Sequence, residues 1–144
     1  MTLQQLRHPN VLQFLGACMK LPNLCMVTEH MPFSLHSVLY TSGIDLDKKR
    51  LVQLAMDICR AFVYLHSRKP ALVHRDIKPA NFLVDRSWKI KVCDFGLASH
   101  NQAHTGAGTP AYMAPELFDN RPYNEKVGGG RGRPPSGRLP SIQH

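Results

Sequence analysis

The stretch from Asp47 to Ser67 constrains the fold more than any other part of the chain. Leu51, Leu54, Ala55, Ile58, Phe62 and Leu65 recur there at three- and four-residue spacing. That period puts them on one face of a long amphipathic helix. Asp45 or Asp47 supplies an N-cap, and an acid there also suits the helix dipole. Lys69 and Pro70 mark the helix end. A helix with one apolar face must lie against something, and the flanking sequence supplies short strands.

Val11 to Cys18 reads as a strand ending near Gly16, and Leu24 to Glu29 as a second. His30, Met31 and Pro32 interrupt it, since a proline disfavours helix in the residue before it. Ser34 can cap a short helix through Tyr40. Beyond the long helix come two apolar runs, Phe82 to Val84 and Lys89 to Cys93. Asp85, Arg86 and Ser87 separate them, which predicts a β-hairpin. From Leu97 to Thr109 the chain is polar and glycine-bearing, as a mobile loop would be. No internal repeat is evident.

The 144 residues are 43% hydrophobic, enough for one domain with an ordinary core. No signal-peptide pattern opens the chain. The most apolar stretch, Val11 to Val27, is broken by Gln13, Lys20, Pro22 and Asn23, so no membrane span is expected. The net charge is +8. Part of it is a tail, where Arg131, Arg133 and Arg138 stand without acids. No stripe of cations interleaved with aromatics appears, so the charge reads as a solvated face and not as a nucleic-acid surface. Cys18, Cys25, Cys59 and Cys93 form no C-x-x-C pair and lack zinc-finger spacing. Each sits in an apolar run and is read as a reduced, core-type cysteine, which places the chain inside the cell, in the cytoplasm.

The chemistry concentrates between the long helix and the hairpin, in His74-Arg75-Asp76-Ile77-Lys78-Pro79-Ala80-Asn81. Asp94-Phe95-Gly96 follows at the far end of the hairpin. A hairpin joins its ends, so Asn81 and Asp94 become neighbours. Their oxygens are hard ligands of the kind Mg²⁺ takes when it holds phosphates. Asp76 is then free to orient a hydroxyl and accept its proton. Lys78 supplies positive charge to phosphoryl oxygens.

HRDIKPAN, then DFG, then Ala114-Pro115-Glu116, in that order, resembles the protein-kinase signature set. LRHPNVLQFLG and MVTEHM extend the resemblance over residues 1–127. It implies an α+β protein-kinase-like fold, in part: the end of the small lobe, the hinge and the first half of the helical large lobe. The function it implies is ATP-dependent phosphorylation of a protein substrate with Mg²⁺ as cofactor. Asp76 would be the catalytic base, with Asn81 and Asp94 on the metal. Thr28 would be the gatekeeper, the backbones of Glu29 and Met31 would face adenine, and Leu83 would floor its pocket. Phe95 would pack inward over His74, and Arg75 would meet a phosphate on the loop after Gly96. Ser99 or Thr105 would be the regulatory hydroxyl.

Lys78, two residues after Asp76, resembles serine/threonine kinases, as does Gly108-Thr109-Pro110-Ala111-Tyr112. There the Thr109 hydroxyl would bond both Asp76 and Lys78. The HPNVLQFLGAC and VTEHM wording is similar to the tyrosine-kinase-like group of serine/threonine kinases. Cys93, directly before Asp94, would face the nucleotide and take electrophilic labels.

By the same resemblance, the family's glycine-rich loop, strand Lys and helix Glu would precede Met1. The buried helix after Val127, which would supply a partner for Glu116, gives way to a Gly/Pro/Arg-rich tail, 128–144, expected to be disordered. The long helix would then expose apolar surface. Two readings stay open: a kinase seen in part, with the fragment alone inactive, or a non-catalytic interaction module.

Overall fold

The computed structural model describes residues 5–95, 98 and 109–113. In chain order the elements are β1 (Phe14–Cys18), β2 (Cys25–Thr28), β3 (Phe33–Ser34), α1 (Leu35–Tyr40), α2 (Lys48–His66), β4 (Phe82–Val84) and β5 (Ile90–Val92). Short 3-10 turns occupy Pro79–Asn81 and Pro110–Tyr112. Gly96, Leu97, the 99–108 part of the polar loop with Ser99 and Thr105, Glu116 and the 128–144 tail lie outside the described residues.

Both helix starts follow from local chemistry. Ser34 accepts from the Ser37 N–H, and Ser37 Oγ accepts in return from the Ser34 N–H, a closed capping box. Asp47 accepts from the Arg50 N–H at 2.7 Å, which selects Asp47 over Asp45 as the cap of α2.

The strands form two small antiparallel sheets, β1–β2 and β3–β4–β5. Residues 10–12 join them. The Leu12 N–H donates to Val92 O at 2.8 Å, and the Val92 N–H donates to Asn10 O at 2.9 Å. Val11 therefore bridges β5 in parallel and is not part of β1, which starts at Phe14 and runs past Gly16 to Cys18. The expected strand is thus one extended segment that changes partners partway. Asn10, 2% exposed, fixes the crossing through a 2.8 Å bond from Nδ2 to Ile90 O.

The inward face of α2 is the expected one at Leu54, Ile58, Phe62 and Leu65 and departs from the expectation at Leu51 and Ala55. Leu54, Ala61 and Leu65 are buried, with Ile58 and Phe62 packed against them, but Leu51 is 44% exposed and Ala55 is exposed. The six expected positions lie within about 100° of one helix face at 3.6 residues per turn, and Leu51 is exposed near the N-terminal end of that face. Val52, Met56 and Val63 make a second, exposed apolar stripe. At the margin of the inward face Asp57, 6% exposed, accepts the Ile90 N–H on Oδ2 and the Arg60 guanidinium on Oδ1. The core is Leu54, Ala61 and Leu65 of α2 against Phe82, Val84, Ile90 and Val92, with Val11, Leu35, Val38 and Leu72 closing it. No helix among the described residues is long and apolar enough to cross a membrane.

Candidate active site

After α2 the chain turns back, and the Leu72 N–H donates to Leu65 O at 3.1 Å. Leu72, Val73 and His74 follow it into the core. His74 is held on both ring nitrogens. Nε2 lies 2.8 Å from Cys93 O, an acceptor only, so it carries the proton. Nδ1 then accepts the Asp76 N–H at 3.3 Å. Burial lowers the His74 pKa against the opposing pull of the Cys93 carbonyl and Asp76, so the ring is neutral at physiological pH. Its face packs on Phe95, with ring centroids 5.2 Å apart. His74 therefore props both ends of the site, the loop at Asp76 and the strand end at Cys93.

Asp76 is the hub. It is 6% exposed, and both carboxylate oxygens are occupied. Oδ1 accepts the Thr109 N–H at 3.0 Å and the Thr109 hydroxyl at 2.7 Å. Oδ2 meets Lys78 Nζ at 2.7 Å and Asn81 Nδ2 at 2.9 Å. Lys78 Nζ also donates to Thr109 Oγ1 at 2.8 Å, closing a three-membered circuit. Burial pushes the Asp76 pKa up, but the bonds from Lys78, Thr109 and Asn81 outweigh it and hold the carboxyl below the usual carboxylate range. The Thr109 hydroxyl thus reaches Asp76 and Lys78 together.

Asn81 spends both Nδ2 protons on Asp76, one on the backbone oxygen and one on the side chain. Its Oδ1 accepts no hydrogen bond among the described residues and is left as an oxygen ligand. The Cys93 N–H donates to Asn81 O at 3.0 Å, so the hairpin delivers Asp94 one residue from Asn81's strand partner. Arg75 and Asp94 hold left-handed backbone angles, φ 66° and 60°. A non-glycine residue pays for that conformation, and such strain gathers at functional loops.

Thr28 and Asp94 share the lining of a cavity of about 40 Å³ with Leu12, Phe14, Met26 and Phe95. Leu83 sits on the half-exposed side of β4, while Phe82 and Val84 face the core. The Glu29 N–H donates to Gln13 O at 3.0 Å, and the Glu29 carbonyl accepts the Thr28 hydroxyl at 3.2 Å, which leaves it one further lone pair; Met31, two residues on, is half-buried.

One feature escaped the sequence reading. The Glu29 carboxylate grips Lys91 Nζ at 2.6 and 2.7 Å and accepts the Gln13 N–H at 2.7 Å. It ties β1, the end of β2 and β5 together. No local pattern links positions 62 apart.

The cysteine reading also changes. Cys18, Cys25 and Cys59 are exposed, and only Cys93 is partly buried. Burial, with help from the Asp94 charge, pushes the Cys93 thiol up to about 11. It is a protonated thiol at neutral pH and a poor nucleophile. Iodoacetamide at pH 7.5 is therefore expected to label Cys93 at least ~10-fold more slowly than the exposed cysteines, read by peptide mass spectrometry over time. Equal rates would overturn the protonated-thiol account.

A family model described as the protein kinase domain matches residues 1–128. Among curated proteins, the chain is 42% identical over 129 residues to the probable serine/threonine-protein kinase drkA of Dictyostelium discoideum, covering 87% of this chain and 20% of that protein. It is 43% identical over 130 residues to the probable serine/threonine-protein kinase SIS8 of Arabidopsis thaliana, covering 86% of this chain and 13% of that one. Over 132 residues it is 43% identical to the serine/threonine-protein kinase CTR1 of the same plant, covering 86% and 16%. The chain spans a fifth or less of the length of these relatives.

Proposed function

The chain belongs to the protein kinase family, and from that premise we propose that it supplies the phosphoryl-transfer centre of an ATP-dependent serine/threonine kinase acting on protein hydroxyls in the cytoplasm. The observation that carries this is the Asp76–Lys78–Thr109 circuit. It joins a carboxylate, a cation and a substrate-side hydroxyl from segments 31 or more residues apart. In this reading Asp76 holds the incoming serine or threonine hydroxyl in line and takes its proton. Lys78 offsets charge on the transferred group. Thr109 reports that the substrate loop is seated, because its hydroxyl reaches Asp76 and Lys78 only when the loop is in place.

The donor set fits magnesium and ATP. Mg²⁺ takes one or two protein oxygens and completes its shell with phosphates and water. Asn81 Oδ1 and the Asp94 carboxylate are such a pair, and they would hold it. When bound, the ion neutralises phosphate charge as that charge shifts to the leaving oxygen. Thr28, the Glu29 carbonyl, the Met31 backbone and Leu83 are the proposed adenine contacts. The tyrosine-kinase-like wording of the sequence belongs to the same proposal.

One observation favours a second reading, a non-catalytic interaction module: Val52, Met56 and Val63 give α2 an exposed apolar stripe of the kind a partner covers. In that reading the 144-residue chain by itself transfers no phosphate. The deciding experiment gives radiolabelled ATP, Mg²⁺ and casein to the full-length protein that carries this chain. Phosphoserine or phosphothreonine is expected in the product. Phosphotyrosine alone, or ATP binding without transfer, would sink the serine/threonine assignment.

A further inference from the structure

Two cysteines that the kinase reading leaves unused face each other across the first hairpin. Cys18 ends β1, Cys25 begins β2, and they are direct register partners. Both are free thiols and exposed. Opposed residues of an antiparallel pair have Cα atoms about 5.5 Å apart when hydrogen-bonded and about 4.5 Å apart when not. Either spacing falls within the roughly 4.4–6.8 Å that a disulfide spans. Direct partners also project their Cβ atoms to the same side of the sheet.

That side is open. Gly16 lies two residues before Cys18 on the same face, and a Cβ built there would meet nothing within 4 Å. The opposite face carries Met26 and Thr28 toward the cavity beside Asp94. The cysteine pair thus points away from the proposed nucleotide side. Cys59, on α2, and the partly buried Cys93 have no such partner in the strand register.

We propose that Cys18 and Cys25 form a reversible disulfide driven by hydrogen peroxide, a modification site independent of phosphoryl transfer. In the first step one thiolate attacks a peroxide oxygen. An S–O bond forms, the O–O bond breaks, and the departing hydroxide takes a proton to become water. The facing thiolate then attacks the sulfenic sulfur, the S–S bond forms, the S–O bond breaks, and a second water leaves. Two thiols and one peroxide give one disulfide and two waters. The sulfurs are oxidised and the peroxide oxygens reduced. A dithiol reductant restores both thiols by exchange: its thiolate attacks the S–S bond, and its own two sulfurs leave joined as a disulfide. The bond would pin the register of β1 on β2 next to the irregularity between Phe14 and Gly16.

Trypsin makes the test direct, because Lys20 lies between the two cysteines. The full chain is treated with peroxide, alkylated, digested and examined by mass spectrometry, with and without dithiothreitol. Peptides 8–20 and 21–48 are expected as one disulfide-linked species, from a chain that runs as a monomer on a non-reducing gel. Free thiols should fall from four to two, and dithiothreitol should restore them. Cys59→Ser should leave the link intact. Cys18→Ser should abolish it and leave Cys25 as a sulfenic acid trapped by dimedone. The proposal is overturned if the link joins separate chains or runs to Cys59. It is equally overturned if Cys18 and Cys25 remain alkylatable while Cys59 oxidises, or if they advance to sulfinic acid unlinked.

Discussion

Asp76→Asn is expected to lower phosphoryl transfer by the full-length protein about 10²–10⁴-fold, with ATP affinity changed by less than about threefold, under 1 kcal/mol. The substitution is nearly isosteric, so the loss would come from charge and proton chemistry. Four donors converge on the carboxylate: the Thr109 N–H and hydroxyl, Lys78 Nζ and Asn81 Nδ2. An amide offers one oxygen to them and turns an NH₂ toward the rest. Donor then faces donor, and Lys78 loses its counter-charge.

The pH dependence follows from the direction of the Asp76 shift. The folded pKa lies below the ordinary value of 3.8. The network's stabilisation is complete above the unfolded value and is lost only as pH falls through the lower folded one. Across pH 5–8 the carboxylate stays ionised, so protonation of Asp76 should place no acid limb in the rate profile there. Ionised throughout that range, the carboxylate can both orient the hydroxyl and accept its proton. Thr109→Ser should keep the circuit and most of the rate, while Thr109→Ala should not. Urea unfolding of each variant separates chemistry from stability. An Asp76→Asn protein that folds normally and keeps a third of its rate would remove Asp76 from the centre of the mechanism.

Local chemistry was the legible part of this chain. Ser34 and Asp47 announce helix starts because a cap bonds residues three positions away. The hairpin is readable from apolar runs split by turn residues, and it carries Asp94 to Asn81. Contacts made over long separations are another matter. Thr109 reaches Asp76 across 33 residues, and only resemblance pointed to that pairing. Glu29 and Lys91 gave no sign of each other, since charged residues at strand ends are ordinary. The inward face of α2 was legible at Leu54, Ile58, Phe62 and Leu65, because their period is that of one helix face. How far burial runs along that face was not, since Leu51 and Ala55 share the period and stay exposed. An aspartate in an apolar face reads as a solvent-side residue until its acceptor role toward Ile90 is seen.

The extent of burial along that face yields the second large expectation. Leu65→Ala should destabilise the chain by about 2–5 kcal/mol, whereas Leu51→Ala should stay within about 0.5 kcal/mol. Both are leucines of the same helix and both fit its apolar period. Leu65 has no exposed surface and sits in the core with Phe82, Ile90 and Val92, while Leu51 is 44% exposed. Removing the Leu65 side chain leaves a cavity that β5 and the Leu72 turn cannot fill without breaking their hydrogen bonds. Total stability for a domain of this size is only about 5–15 kcal/mol, so the variant stands to lose a large part of it. Ile90→Val, on the facing strand, gives a graded check at about 0.5–1.5 kcal/mol, should Leu65→Ala fail to fold. Urea midpoints at constant m-value read all three. Equal losses at Leu51 and Leu65 would mean that this face of α2 is buried as far as its first turn, and that the core does not end at Leu54.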